Sequence, residues 1–154
     1  MHSPLIVETS PGHEELREIA QRCLTRRHVH HYEGFFRTQW RLFEKENPPR
    51  VKPLLYCYRV LLTGVHLMRS GEVEGNLAVL APVYGQDDLI ELIEAKRAGN
   101  EQLRMPAPDT ESHRVRTERL LERLKAEAER SPLPEKHDEY GAMQDFVLRV
   151  ERPK

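Results

Sequence analysis

Aromatic residues are scarce, at 6% of the chain. A sheet wants aromatic and β-branched side chains on its pleated faces, so this scarcity argues against a β-sandwich or barrel. Cysteine is scarcer still. Cys23 and Cys57 lie far apart within apolar helical patterns and form no C-x-x-C pair. Such a pair builds neither a zinc site nor a disulfide framework, and both read as buried free thiols in a reducing compartment. No window approaches the run of about 18 apolar residues that a membrane span requires. The start, MHSPLIVETS, has neither the basic region nor the apolar stretch of a signal peptide. These absences lead to the expectation of a cytoplasmic protein with no membrane partner.

Excess charge is also missing. Lys and Arg number 24 against 25 Asp and Glu, a net charge of −1, so no global field draws the chain to nucleic acid or to an anionic membrane. Any basic surface must be local. The chain contains no P-loop, no G-x-G-x-x-G and no G-x-S-x-G, and neither cysteine sits in a local Cys-His signature. No catalytic residue is nominated.

What remains is charge arranged amphipathically. Charged residues make up 32% of 154 residues, a composition suited to helices and a length suited to one domain. The expected architecture is all-α: one compact bundle of about five to six helices over residues 1–154, preceded by a short extended segment at Leu5 to Glu8. Ser10 is a good N-cap for a helix from Pro11, with Glu14 and Glu15 near the positive end of its dipole. A second helix, from about His30 to Glu46, carries Tyr32, Phe35, Phe36, Trp40 and Phe43 and stops at Asn47-Pro48-Pro49. The third runs from Val51 to Arg69 and closes at Ser70-Gly71. NLAVLAPVYG reads as a short apolar helix or turn. Asp87-Asp88 reads as the cap of a helix through Lys96 that ends before Gly99. After the loop MPAPDT, a charged helix from Thr110 to Arg130 has Val115, Leu120, Leu121 and Leu124 on its buried side. SPLPE breaks the chain, and a last helix follows from about Glu135 to Arg149.

The third helix carries the strongest functional signal. It is apolar over most of its circumference, yet Lys52, Tyr56, Arg59, Thr63 and His66 fall within an arc of about 80°. A polar stripe on a helix buried on its other sides must face a cleft, a partner or paired charges. A cation, a phenol and a guanidinium in a row would suit a phosphate chain. The alternative is that Lys52 snorkels at the helix start while Arg59 pairs with a carboxylate at the core edge. Spacing alone leaves both open.

The run RRHVHHYEG offers His28, His30 and His31 close to Glu33. Neighbouring helical side chains diverge by about 100° and cannot converge on one ion, so no metal site is expected. His31 and Tyr32 instead read as polar tips beside a cleft, and Arg26 and Arg27 as cations at a favourable helix end.

In order along the chain, SPLIV, HHYEG, Lys52-x-x-x-Tyr56-x-x-Arg59 followed by LL, LIELIEAKRAG and SPLPE resemble the carboxy-terminal part of the predicted nucleotidyltransferase family known as RlaP or YcgL. That family is a branch of the DNA polymerase β-type superfamily. Pro53 and Val60 stand where Lys and Pro are usual. The resemblance implies a helical domain that closes over a nucleotide and offers it Lys52, Tyr56 and Arg59, with His31, Tyr32 and Lys96 as further nucleotide-binding candidates. Enzymes of this superfamily hold two magnesium ions with a Gly-Ser turn and an Asp-x-Asp pair, and this sequence contains neither motif. Magnesium and a nucleoside triphosphate are therefore expected only together with an amino-terminal catalytic α/β domain that these residues lack. The chain would be inactive by itself and would partner a catalytic nucleotidyltransferase domain in trans. The alternative is a non-enzymatic module in which the stripe and the charged helix dock a protein or an RNA.

Overall fold

The computed structural model describes residues 9–98, 104 and 107–151. The extended segment expected at Leu5 to Glu8 and the helix end expected at Gly99 lie outside them. Among the described residues the fold is all-α. Seven helices run in the order α1 (Pro11–Arg22), α2 (His28–Glu44), α3 (Val51–Ser70), α4 (Leu77–Val83), α5 (Leu89–Arg97), α6 (Ala107–Glu129) and α7 (Tyr140–Glu151). The only β-type pairing described is one isolated bridge between Arg50 and Arg104. The chain forms two compact units. One comprises the chain ends up to Arg26 and from Leu133, and the other is Arg27–Pro132.

In the first unit, Ser10 caps α1 as its sequence predicts, its Oγ accepting from the His13 N–H at 3.3 Å. Ile19 is buried on the inner side. The Cys23 thiol donates to Met143 Sδ of α7 at 3.7 Å, and Arg22 pairs with Glu139 at 3.1 Å. Arg149 pairs with Glu15. Cys23 is half-buried, whereas a buried thiol was expected. Residues 135–139 are not helical, so the last helix begins at Tyr140 rather than near Glu135. The start of this segment meets the residue at the other end of the unit: the Arg26 N–H donates to Pro134 O at 2.9 Å and the Arg26 guanidinium pairs with the Glu135 carboxylate at 2.9 Å.

The second unit is organised around α3, which packs against α2, α4, α5 and α6. Its buried residues include Leu54, Cys57, Leu61, Leu62, Val65, Leu67 and Met68, all at 0% exposure. Each fully buried Leu contributes about 2 kcal/mol through removal from water. The helix ends where Gly71 adopts the left-handed conformation, φ 76°, and its N–H donates to Leu67 O, the expected glycine stop. Helices α2 and α3 approach closely at Gly64, where a Cβ would stand 2.9 Å from Tyr32 Cγ. From α2, Val29, Phe36 and Phe43 enter the core, and the Trp40 ring centre lies 6.1 Å from Phe36 and 5.1 Å from Phe43.

Three local expectations are corrected. Val115 is exposed (39%), because α6 turns His113, Thr117, Leu120, Leu124 and Ala128 inward, one face at helical spacing. The polar members of that face are satisfied: Tyr58 and His113 Nδ1 share a 2.7 Å hydrogen bond and Thr117 donates to His113 O at 2.8 Å. Asp88 stands at the N-cap position of α5 but makes no capping hydrogen bond with its side chain. Its carboxylate instead accepts both Arg116 forks, at 2.6 and 2.8 Å, and Arg116 also donates to Gln86. Finally, Arg27 occupies the N-cap position of α2, the positive end of the dipole, where a cation is disfavoured rather than favoured.

Candidate functional site

The exposed polar surface of α3 begins with Lys52, half-buried, and continues with Tyr56 and Arg59, both exposed. These positions stay polar because the neighbouring helices cover the other sides of α3 and leave this strip open. Two shallow hollows meet along it. The first, about 220 Å³, is lined by Lys52, Tyr56 and Arg59 of α3 and by Lys96 and Arg97 of α5, over an apolar floor that includes Leu55, Leu77 and Ile93. The second, about 270 Å³, lies on the other side of Tyr56 and Arg59. It is lined by His31, Tyr32 and Phe35 of α2, by Val60 and Thr63 of α3, and by Val73 and Gly75 of the α3–α4 loop. Tyr56 and Arg59 belong to both.

All six residues singled out from the sequence thus reach this region: Lys52, Tyr56, Arg59 and Lys96 around the first hollow, His31, Tyr32, Tyr56 and Arg59 around the second. The Arg59 guanidinium carbon lies 5.7 Å from the Tyr56 ring centre, a cation–π arrangement. A Cβ on Gly75 would approach Arg59 Nη2 to 3.9 Å, so the loop backbone runs beside the guanidinium. Among the described residues no ion pair of Arg59 with a carboxylate is found; its neighbours there are the Tyr56 ring and the Gly75 backbone. The stripe does not stay together along its whole length. His66, its last member, shares a 3.1 Å hydrogen bond with the Tyr84 hydroxyl, and Arg123 lies 5.0 Å from that ring centre. It belongs to the packing of α3 on α4 and not to either hollow.

In the second hollow the His31 ring stands edge-on to Tyr32, at 5.7 Å between centres, and tilted against Phe35 at 6.4 Å. Burial pushes the Tyr32 phenol above its ordinary pKa, which keeps it neutral and able to donate a hydrogen bond. The first hollow is chemically different. Among the described residues it gathers four cationic side chains and no carboxylate. Such a lining suits a polyanion, and it does not suit magnesium, which takes oxygen ligands. Among the described residues no group of three His, Cys, Asp or Glu converges as a metal site would require, and no helix is long and apolar enough to cross a membrane.

Several lining residues were not singled out from the sequence. Arg97 is adjacent to Lys96 and could have been nominated with it. Thr63 lies on the stripe. Phe35 reads as core from its helical spacing, and Val73 and Gly75 come to the hollow only through the path of a loop, which has no periodicity to read.

Residues 1–149 match the sequence model of RlaP, described as the RNA repair pathway DNA polymerase beta family. An uncharacterized protein of the archaeon Methanocaldococcus jannaschii is 30% identical over 96 residues, which are 61% of this chain and 40% of that protein. The shared segment therefore spans less than half of that relative's length. No solved structure matches the chain. With residues 1–149 of its 154 matched by one family model, the chain belongs to RlaP, the RNA repair pathway DNA polymerase beta family.

Proposed function

We propose that this chain is the nucleotide- and substrate-binding helical module of an RlaP-type nucleotidyltransferase. The observation that supports it best is the meeting of a cationic hollow and an aromatic hollow along Tyr56 and Arg59. A nucleotide has the same two-part chemistry, a polyanion joined to a planar ring. Lys52 and Lys96 act as mobile point charges on the phosphates and Arg59 as a planar fork that can hold two phosphate oxygens at once. Tyr56 supplies a hydroxyl and a stacking face, and His31 and Tyr32 stand at the ring end.

Nucleotidyl transfer in the superfamily uses two magnesium ions. The Gly-Ser and Asp-x-Asp residues that would hold them do not occur in this sequence, and the cationic hollow is a poor magnesium site. In this reading the metal-binding carboxylates belong to a catalytic domain outside these residues, met in trans or carried on a longer polypeptide, while this chain binds and orients the nucleotide. The alternative, RNA or protein docking through the charged helix, has less support. Four basic side chains of α6 are engaged within the unit: Arg114 with Glu44, Arg116 with Asp88, Arg123 with Glu127 and Lys125 with Glu33.

The test is isothermal titration of the chain with inorganic tripolyphosphate and with ATP and magnesium. Lys52→Ala and Arg59→Ala should each weaken binding of both ligands about tenfold or more, the loss expected for a hydrogen bond to a charged group. Equal heats from wild type and variants, or no heat from any of them, would contradict the proposed role. Transfer activity by the chain alone would contradict the assignment of the carboxylates to another domain.

A further inference from the structure

Among the described residues around the two hollows, only Tyr56 and Arg59 line both. They are three apart on α3, so their side chains share one face of the helix, and the Arg59 guanidinium carbon lies 5.7 Å from the centre of the Tyr56 ring. Its other neighbour shows where the fork lies. Gly75 lines the aromatic hollow alone, and a Cβ on it would stand 3.9 Å from Arg59 Nη2. Tyr56 and Arg59 are both exposed. The guanidinium is therefore open to solvent on the boundary between the hollows, beside a ring that belongs to both and a loop that belongs to the second. Arg97 is exposed as well, but it lines the cationic hollow alone.

A nucleotide is an ordered ligand. Its ring is joined through a sugar to one phosphate, and the other phosphates extend away from that one. With the ring stacked among His31, Tyr32 and Phe35 and the phosphates among the cations, the phosphate nearest the sugar falls at the boundary. We infer that Arg59 holds the phosphate joined to the sugar and that Arg97 holds the phosphates beyond it. The inference rests on the nucleotide-binding role proposed above and deepens it by giving each arginine its own place along the ligand. A planar fork suits the boundary position, because it can bond two oxygens of one phosphate at once, where an ammonium acts as a point charge. The attraction of the Tyr56 ring for the guanidinium uses none of its five N–H donors, which leaves them for the ligand. Nucleotidyl transfer divides the ligand between these two places. Arg59 stays with the group transferred, and Arg97 with the pyrophosphate released.

The experiment titrates the chain with the four ribonucleoside triphosphates, takes the tightest of them forward with its own monophosphate, and adds inorganic tripolyphosphate. Arg59→Ala should weaken the monophosphate and the triphosphate about tenfold each, the loss expected for a hydrogen bond to a charged group. Arg97→Ala should weaken the triphosphate and tripolyphosphate about tenfold and leave the monophosphate within about twofold of wild type. Both side chains are exposed, so neither variant should melt lower than wild type. If Arg59→Ala does, Arg59→Lys takes its place; it keeps the charge, loses the fork and should still weaken the monophosphate. Equal losses for monophosphate and triphosphate in Arg97→Ala overturn the inference, as does a monophosphate indifferent to the change at Arg59. A chain that binds the triphosphate and not the monophosphate overturns it too, because ring hollow and Arg59 together would then hold nothing. If tripolyphosphate binds and Lys52→Ala weakens it while the two arginines fail to divide in this way, the order along the ligand falls and the phosphate-binding role stands. If neither tripolyphosphate nor any nucleotide binds, both fall.

Discussion

Tyr58 and Tyr56 sit on opposite sides of α3, about 200° apart around the helix, so whatever fixes one orients the other. Tyr58 is fully buried and shares a 2.7 Å hydrogen bond with His113 Nδ1, itself 5% exposed. Burial holds the Tyr58 phenol well above its ordinary pKa, which keeps it protonated. Phe at this position preserves the packing and the ring face that Arg116 overlies at 5.3 Å, so the change isolates the hydroxyl. A buried hydrogen bond contributes about 1 kcal/mol, and leaving the opposite nitrogen without this partner adds a further desolvation penalty of about 1–3 kcal/mol. Tyr58→Phe should therefore destabilise the chain by about 2 kcal/mol, equivalent to roughly 4–8 °C in Tm for a protein of this length. His113→Leu removes the other partner. In the double variant no polar group is stranded between them, so its cost should fall below the sum of the single variants by about 1–2 kcal/mol. Urea unfolding followed by far-UV circular dichroism measures all three. A Tyr58→Phe variant within about 0.5 kcal/mol of wild type, or strictly additive costs, would refute the view that this pair pins α3 against α6.

The Arg116 fork holds the Asp88 carboxyl below its ordinary pKa of 3.8. A lowered carboxyl stabilises the fold fully above its ordinary value and loses that contribution as the pH falls through the folded one. The pair is 58% and 25% exposed, so solvent screening limits it to about 1 kcal/mol or less. Asp88→Asn should lower stability by that much at pH 7 and converge with wild type in acid below pH 3.8; a gap that stays constant with pH would rule out the ion pair as its cause. Burial pushes the Cys57 thiol up to about 12, whereas Cys23 is half-exposed. At pH 8, iodoacetamide should modify Cys23 in the native chain and Cys57 only after unfolding, as read by mass spectrometry, and equal native rates would contradict the burial of Cys57.

Local chemistry was legible in the sequence where a single residue completes it. Ser10 caps α1 with its own side chain and Gly71 ends α3 with its own backbone, so no knowledge of the fold is needed. The stripe was legible for a similar reason, since it is a periodicity within one helix. The register of α6 was not. Its inward face opens with His113 and Thr117, polar residues whose burial depends on partners elsewhere, and hydrophobicity alone favours Val115. Asp88 shows the same limit. An aspartate at a helix start looks like a cap until the Arg116 fork, 28 residues away, is brought to it. The start of α2 lacked a signal, because Arg27 at its N-cap makes no capping hydrogen bond with its side chain.

The location of the candidate site follows from the burial of α3. A helix covered by neighbours on most sides can keep long polar side chains only along its uncovered strip, so Lys52, Tyr56 and Arg59 have one direction available. The same neighbours then shape what those side chains do. Helix α5 brings Lys96 and Arg97 to the strip, and Leu55, Leu77 and Ile93 form its apolar floor. Apolar walls exclude water and concentrate the field of the charges set among them. A chain with a net charge of −1 can in this way present a locally positive hollow that a solvated stripe of the same residues would not. The field is short-ranged, falling off within about 8 Å at physiological ionic strength, so it acts on a phosphate group already in the hollow more than on one approaching from solution. In the proposed nucleotide-binding role, selection would therefore depend on the contacts inside, with the charges holding the phosphates and the adjoining rings meeting what is attached to them.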